Sequence, residues 1–141
     1  SATVRTWDSG TCRQISNFMG SHDFPTFSFI ASDGKLLTLQ LINDNRSLKM
    51  VDLKSGKDLV TFSSHETALT DAVVFSPDSK RLVTGDKLGL IKIWDVVTGA
   101  NCDLPNLPIT DIRGIDWRPN STDLAIAGIG GVVIQSYQPP D

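Results

Sequence analysis

The chain has 141 residues, enough for one ordinary domain with a sizeable core. Hydrophobic residues make up 40% and charged residues 21%, a globular and not a disordered balance. A net charge of −3 argues against a nucleic-acid binder, which needs clustered Lys and Arg, and no apolar run approaches the roughly 20 residues of a membrane helix.

The first residues, Ser1-Ala2-Thr3-Val4-Arg5, do not resemble a secretory leader, which places an apolar stretch behind a basic start. They include no initiating Met, so the expectation is a chain that begins inside a longer protein or after a processed tag. A first strand is expected over Thr3–Asp8 and a second over Cys12–Phe18. A run such as Asp58-Leu59-Val60-Thr61-Phe62 follows a turn Gly. The clearest strands then follow, at Ala72-Val73-Val74-Phe75, Arg81-Leu82-Val83-Thr84 and Leu90-Ile91-Lys92-Ile93-Trp94. Each is rich in Val, Ile and aromatic residues and is bounded by Gly, Pro, Asp or Ser. Ser76-Pro77-Asp78 and Arg118-Pro119-Asn120 are turn chemistry. No segment shows sustained helical spacing of apolar residues.

The strands repeat. Val4-Arg5-Thr6-Trp7-Asp8, Leu48-Lys49-Met50-Val51-Asp52, Ile91-Lys92-Ile93-Trp94-Asp95 and Ile134-Gln135-Ser136-Tyr137-Gln138 are alike, and their fourth positions are 44, 43 and 43 residues apart. Turn glycines Gly10, Gly56 and Gly99 follow in phase, as do His22 and His65, and the aromatic residues Phe29, Phe75 and Trp117. Four short strands per repeat leave no room for a long helix.

The stretch His65…Phe75-Ser76-Pro77-Asp78…Leu82-Val83-Thr84-Gly85…Ile91-Lys92-Ile93-Trp94-Asp95 resembles a WD repeat. The resemblance is strong over 65–99, good over 1–10 and degenerate over 22–56 and 109–138. It implies an all-β fold of propeller blades, each a four-stranded antiparallel sheet with strands a to d from the axis outward. Residues 1–18 would supply strands c and d of a broken blade, 26–62 and 70–104 two whole blades, and 111–138 strands a, b and c of a last one. Thirteen strands in groups of two, four, four and three predict an incomplete ring of about three blades.

In this family a blade carries a buried hydrogen-bond network of His, Ser or Thr, Asp and Trp. Buried polar groups must be paired, or each costs roughly 1–3 kcal/mol. The matching residues are His65, Thr84 and Trp94, with Leu88 expected in the Asp slot and the network therefore incomplete. In the preceding blade His22 is in phase, while Leu41, Asn45 and Val51 take the strand b, turn and Trp slots. In the last blade Pro108 and Tyr137 take the His and Trp slots.

Catalytic and ligand readings fare worse than structural ones. His22 and His65 serve separate blades, so neither a shared metal nor a base pair is expected. Trp7, Trp94 and Trp117 hold repeat-locked positions, which predicts core packing for all three. Gly128-Ile129-Gly130-Gly131 lacks the helix and the Lys-Ser or Lys-Thr of a phosphate loop, and reads as a strand b–c turn. Asp8, Asp52 and Asp95 recur with the repeat and mark strand ends. Asn120-Ser121-Thr122 matches a glycosylation pattern that an intracellular chain does not use. Cys12 and Cys102 fall in outer strands of different repeats and are expected as reduced thiols, and two Cys with two His at these spacings make a poor zinc set.

The expected function is a protein-binding scaffold, a segment of a larger intracellular protein of the cytoplasm or nucleus, with no enzymatic activity and no cofactor. Its partner face would be formed by the d–a and b–c loops, with Asp23, Phe24, Asn45, Arg46, Glu66, Asp71, Lys87, Asp111 and Arg113 on it. Phe24 and Arg46 are the most anchor-like by residue type. Protein partners are expected, with self-association through open terminal blades as a further route. The alternatives are a sensor or autoinhibitory propeller of a signalling protein, and a propeller enzyme with Asp71, Asp111 and Asp116 about a central channel.

Overall fold

The computed structural model of the chain describes residues 3–19, 26–30, 36–42, 46–52, 54–63, 65–104, 106–119 and 122–138. These form thirteen strands in four antiparallel sheets, with no helix among the described residues. The first sheet pairs β1 (Thr3–Trp7) with β2 (Gln14–Met19). The second runs β3 (Thr26–Ile30), β4 (Leu36–Ile42), β5 (Ser47–Asp52) and β6 (Asp58–Ser63). The third runs β7 (Leu69–Phe75), β8 (Arg81–Asp86), β9 (Ile91–Asp95) and β10 (Asn101–Asp103). The fourth has β11 (Thr110–Trp117), β12 (Asp123–Ile129) and β13 (Gly131–Ser136). Neighbouring strands follow one another in sequence, so each sheet is a meander, the blade of a propeller.

The core lies between blades, because a strand buries alternate side chains on opposite faces. Leu37, Leu39, Leu48, Met50 and Phe62 of the second sheet pack against Leu69, Leu82 and Trp94 of the third. Phe62 meets Trp94 edge-on, with ring centroids 5.5 Å apart and planes at 69°. The other face of the third sheet, with Ala72, Val83, Ile91 and Ile93, packs against Ile112, Trp117, Leu124, Ile126 and Tyr137 of the fourth. Trp94 and Trp117 are thus core residues. Trp7 is not: it is 55% exposed on β1, whose only ladder partner is β2, and no further sheet covers it among the described residues.

The recurring Asp residues stop strand c. Asp8, Asp52 and Asp95 each accept hydrogen bonds through Oδ1 from amides two and three residues ahead: Gly10 and Thr11, Lys54 and Ser55, Val97 and Thr98. These side chains do locally what a strand partner would do, and turn the chain into strand d. Cys12 sits in the first of these turns, at φ 57°, rather than within the outer strand. Cys102 is on β10, and both thiols are free and exposed.

The last repeat is displaced from its sequence phase. In the third sheet Phe75 pairs with Leu82 and Leu82 with Trp94, and in the fourth Trp117 pairs with Leu124 and Leu124 with Gln135. Gln135, not Tyr137, therefore holds the place of Trp94. Tyr137 matches Val96: its amide bonds the Thr122 carbonyl at 2.9 Å as that of Val96 bonds Lys80 at 3.1 Å. The tight turn Ile129-Gly130 supplies one residue of this two-residue shift, since Ala127 pairs with Val132 across four residues where Gly85 pairs with Ile91 across five, and the 42-residue step from Phe75 to Trp117 supplies the other. Tyr137 still works at the seam between blades, where it is buried. Burial raises its phenol above the usual range, with the nearby Cys102 adding and the nearby Arg81 opposing.

Candidate functional site

Four side chains of the third sheet form a buried polar network. The His65 ring lies just before β7, with Nδ1 3.1 Å from Asp86 Oδ2 and Nε2 2.6 Å from Thr84 Oγ1. Trp94 Nε1 donates to the same Thr84 Oγ1 at 2.9 Å. Asp86, and not Leu88, is the acidic member, so the network is complete. Leu88 is 66% exposed on the turn beyond it. A count of six residues back from Trp94 misses Asp86 because the turn is long: Gly85 pairs with Ile91. The available signal was Asp86 itself, an Asp at the end of strand b and three residues before a turn Gly.

With a neutral ring the donors and acceptors close in one way. A carboxylate only accepts, so His65 donates from Nδ1 to Asp86, and its Nε2 accepts from the Thr84 hydroxyl. That hydroxyl in turn accepts from the Trp94 indole. Burial favours this neutral ring, since it holds the His65 pKa below the ordinary value against the pull of the Asp86 hydrogen bond and charge. Asp86 Oδ1 accepts from the Leu88 and Leu90 amides, both at 3.0 Å, so one carboxylate ties the ring to the b–c turn. The fourth sheet replaces this network with packing. Ile126 stands where Thr84 does, and Trp117 Nε1 is buried without a hydrogen-bond partner among the described residues.

The loop face carries the other candidates. Arg46, Lys87 and Arg113 are exposed, as is Glu66. Asp111 is half-buried, and its Oδ2 accepts from Arg113 Nε at 3.0 Å. Its amide leaves its own ladder to bond the Lys87 carbonyl at 2.8 Å, in a left-handed conformation at φ 46°. The structure thus brings Lys87, Asp111 and Arg113 together across two blades. Asp71 is on β7, with only its backbone described, while Phe24, His22, Asp23 and Asn45 lie outside the described residues. Residue types alone missed Leu88 and Ile129, two apolar side chains exposed at turn tips of this face.

Carboxylates elsewhere are engaged locally. A cavity of about 230 Å³ lined by Asp116, Trp117, Arg118, Asp123 and Ile134 holds an Arg118–Asp123 ion pair at 2.9 Å, and Asp116 Oδ1 accepts the Trp117 amide. Asp123 also accepts from the Ser136 hydroxyl at 2.6 Å. No group of three or more His, Cys, Asp or Glu able to hold a metal ion occurs among the described residues.

Meandering four-stranded sheets packed face to face, with a His–Asp–Thr–Trp network inside one, define a β-propeller of the repeat type. Residues 56–95 match the family described as WD domain, G-beta repeat, a stretch that begins before strand d of one blade and ends at strand c of the next. Residues 56–95 thus carry a WD repeat. It is 30% identical over 102 residues to the ribosome biogenesis protein ERB1 of Debaryomyces hansenii, a match over 63% of this chain and 12% of that one. The chain thus spans a small part of this relative's length. Among solved structures, the WD40 β-propeller domain of Doa1 superposes with a TM-score of 0.68 at 21% identity, over 94% of this chain and 42% of that one. The computationally designed Ika4 protein superposes with a TM-score of 0.67 at 20% identity, over 96% and 80%.

Proposed function

We propose that the chain is a protein–protein interaction scaffold, a WD-repeat segment of a larger intracellular protein or complex subunit, and performs no chemistry of its own. The observation that carries this reading is the commitment of its buried titratable pair. His65 and Asp86 have side chains 1% exposed and spend their bonding capacity on each other, on Thr84 and on the turn amides, which leaves neither as a general base. The groups that face solvent instead lie on loops held by rigid sheets, the usual arrangement for recognition.

A WD repeat and likeness to a protein named for ribosome biogenesis favour a subunit of an assembly and a nuclear or cytoplasmic place. Two free exposed thiols agree with a reducing compartment. A net charge of −3 favours protein over nucleic acid as the partner. The outer face of the last sheet, with exposed Val132 and Ile134, supports self-association with a second copy, which light scattering at rising concentration reads directly. The test of the scaffold reading is cross-linking and co-purification of the full-length protein. A stable protein partner lost on substitution of loop-face residues is expected, and a full-length protein that recovers none refutes it.

The sensor reading asks for a phosphate-binding module elsewhere in the same protein, which the parent sequence decides. The enzyme reading loses ground with Asp111 held by Arg113 and Asp116 by the Trp117 amide.

A further inference from the structure

Turn tips of antiparallel sheets are ordinarily polar. Here Leu88 and Ile129 stand 66% and 64% exposed at the b–c turns of adjacent blades. Each precedes a left-handed glycine, and both glycines press on one stretch of backbone. A Cβ at Gly89 would meet the Ile109 carbonyl oxygen at 2.2 Å, and one at Gly130 would meet the Pro108 carbonyl oxygen at 2.8 Å. The two tips therefore flank the Pro108–Ile109 segment, of which Pro108 is exposed.

Both tips are held firmly. Asp86 Oδ1 accepts the amides of Leu88 and Leu90, and its other oxygen is fixed by His65. The Lys87 carbonyl accepts the Asp111 amide from the next blade, and Asp111 in turn orients Arg113. The result is an apolar ridge of Leu88, Pro108 and Ile129, rimmed by Lys87 and by an Arg113 side chain that remains 72% exposed.

We infer that this ridge is a docking site for a segment of another protein that carries apolar side chains flanked by acidic residues. The inference rests on the scaffold reading above and names the chemistry of its partner. Apolar groups held on rigid turns lose little conformational freedom on binding. Lys87 and Arg113 give a cationic rim on a chain whose net charge is −3, so an acidic segment is both attracted and selected there.

The probe is a random-peptide library panned against the full-length protein at low salt, followed by affinity measurements on the enriched peptides. An acidic and apolar consensus is expected. Its binding should fall about tenfold in the Leu88→Ser, Ile129→Ser double variant, and clearly in Lys87→Glu, at an unchanged melting temperature. It should also weaken with added salt. A basic consensus, or no enrichment at all, overturns the inference. Enriched peptides indifferent to all three substitutions overturn this site while protein binding elsewhere on the molecule stands. Failure of the scaffold reading shows separately, as the absence of any partner in the cross-linking experiment.

Discussion

The indole N–H of Trp94 and the imidazole Nε2 of His65 meet on a single hydroxyl, that of Thr84, at 2.9 and 2.6 Å. One oxygen both accepts and donates, and every member of the network is buried. Thr84→Val keeps the shape and removes the hydroxyl, so the indole and the imidazole both lose their partner. A loss of roughly 2–4 kcal/mol is expected. Trp94→Ala adds a cavity beside Phe62 and should cost about 3–5 kcal/mol. Thermal and urea unfolding read both.

The same network makes stability pH-dependent. A folded pKa for His65 held below its ordinary 6.5 means that the unfolded chain binds the proton first. Stability then falls as pH drops below about 6.5 and stops falling once the folded ring is itself protonated. The protonated ring donates from both nitrogens, so the Thr84 hydroxyl can no longer donate to Nε2 and must accept from the ring and the indole at once. Asp78 and Asp95 add a second, lower window. The Ser76 hydroxyl and the Thr98 amide respectively hold them below 3.8, so their contribution is present above 3.8 and lost as pH falls through the folded values. Denaturation midpoints from pH 7.5 down to about 3 should show both steps, and His65→Asn should remove the upper one.

Glycine positions separate turn strain from close approach between blades. Gly89→Ala should destabilise by well over 1 kcal/mol, because its φ is +93° and its Cβ would lie 2.2 Å from the Ile109 carbonyl oxygen. Gly56→Ala, at φ +70° with nothing within 4 Å, meets only the backbone term of about 1 kcal/mol. Gly114→Ala has open space and no such φ, and should stay within about 0.5 kcal/mol. The order of the three melting temperatures is the measurement.

Leu88→Asp should leave stability within about 0.5 kcal/mol of the parent, since the side chain is exposed and the acidic place in the network is already filled by Asp86. Asp86→Ala should instead lose roughly 3 kcal/mol, as His65 and the amides of Leu88 and Leu90 lose their acceptor. Equal melting temperatures for the two variants would contradict the assignment.

By itself the sequence determined the blade plan. Short β-rich runs, turn residues and a period near 43 residues state it, because alternation and turn chemistry are local properties that survive in linear order. It equally determined the recurring aspartates at strand ends, whose acceptors and donors lie within three residues of one another. Only the tertiary structure decided the rest. The residue opposite His65 depended on how many residues the 86–90 turn spends, and the place of Tyr137 in part on the tightness of Ile129-Gly130. The exposure of Trp7 depended on which sheet covers its face, which no residue near it encodes. Leu88 and Ile129 became neighbours of one backbone segment through glycines packed across a blade seam. Register and inter-blade contact join residues far apart in the chain, and a one-residue change in a turn reverses which face a side chain serves.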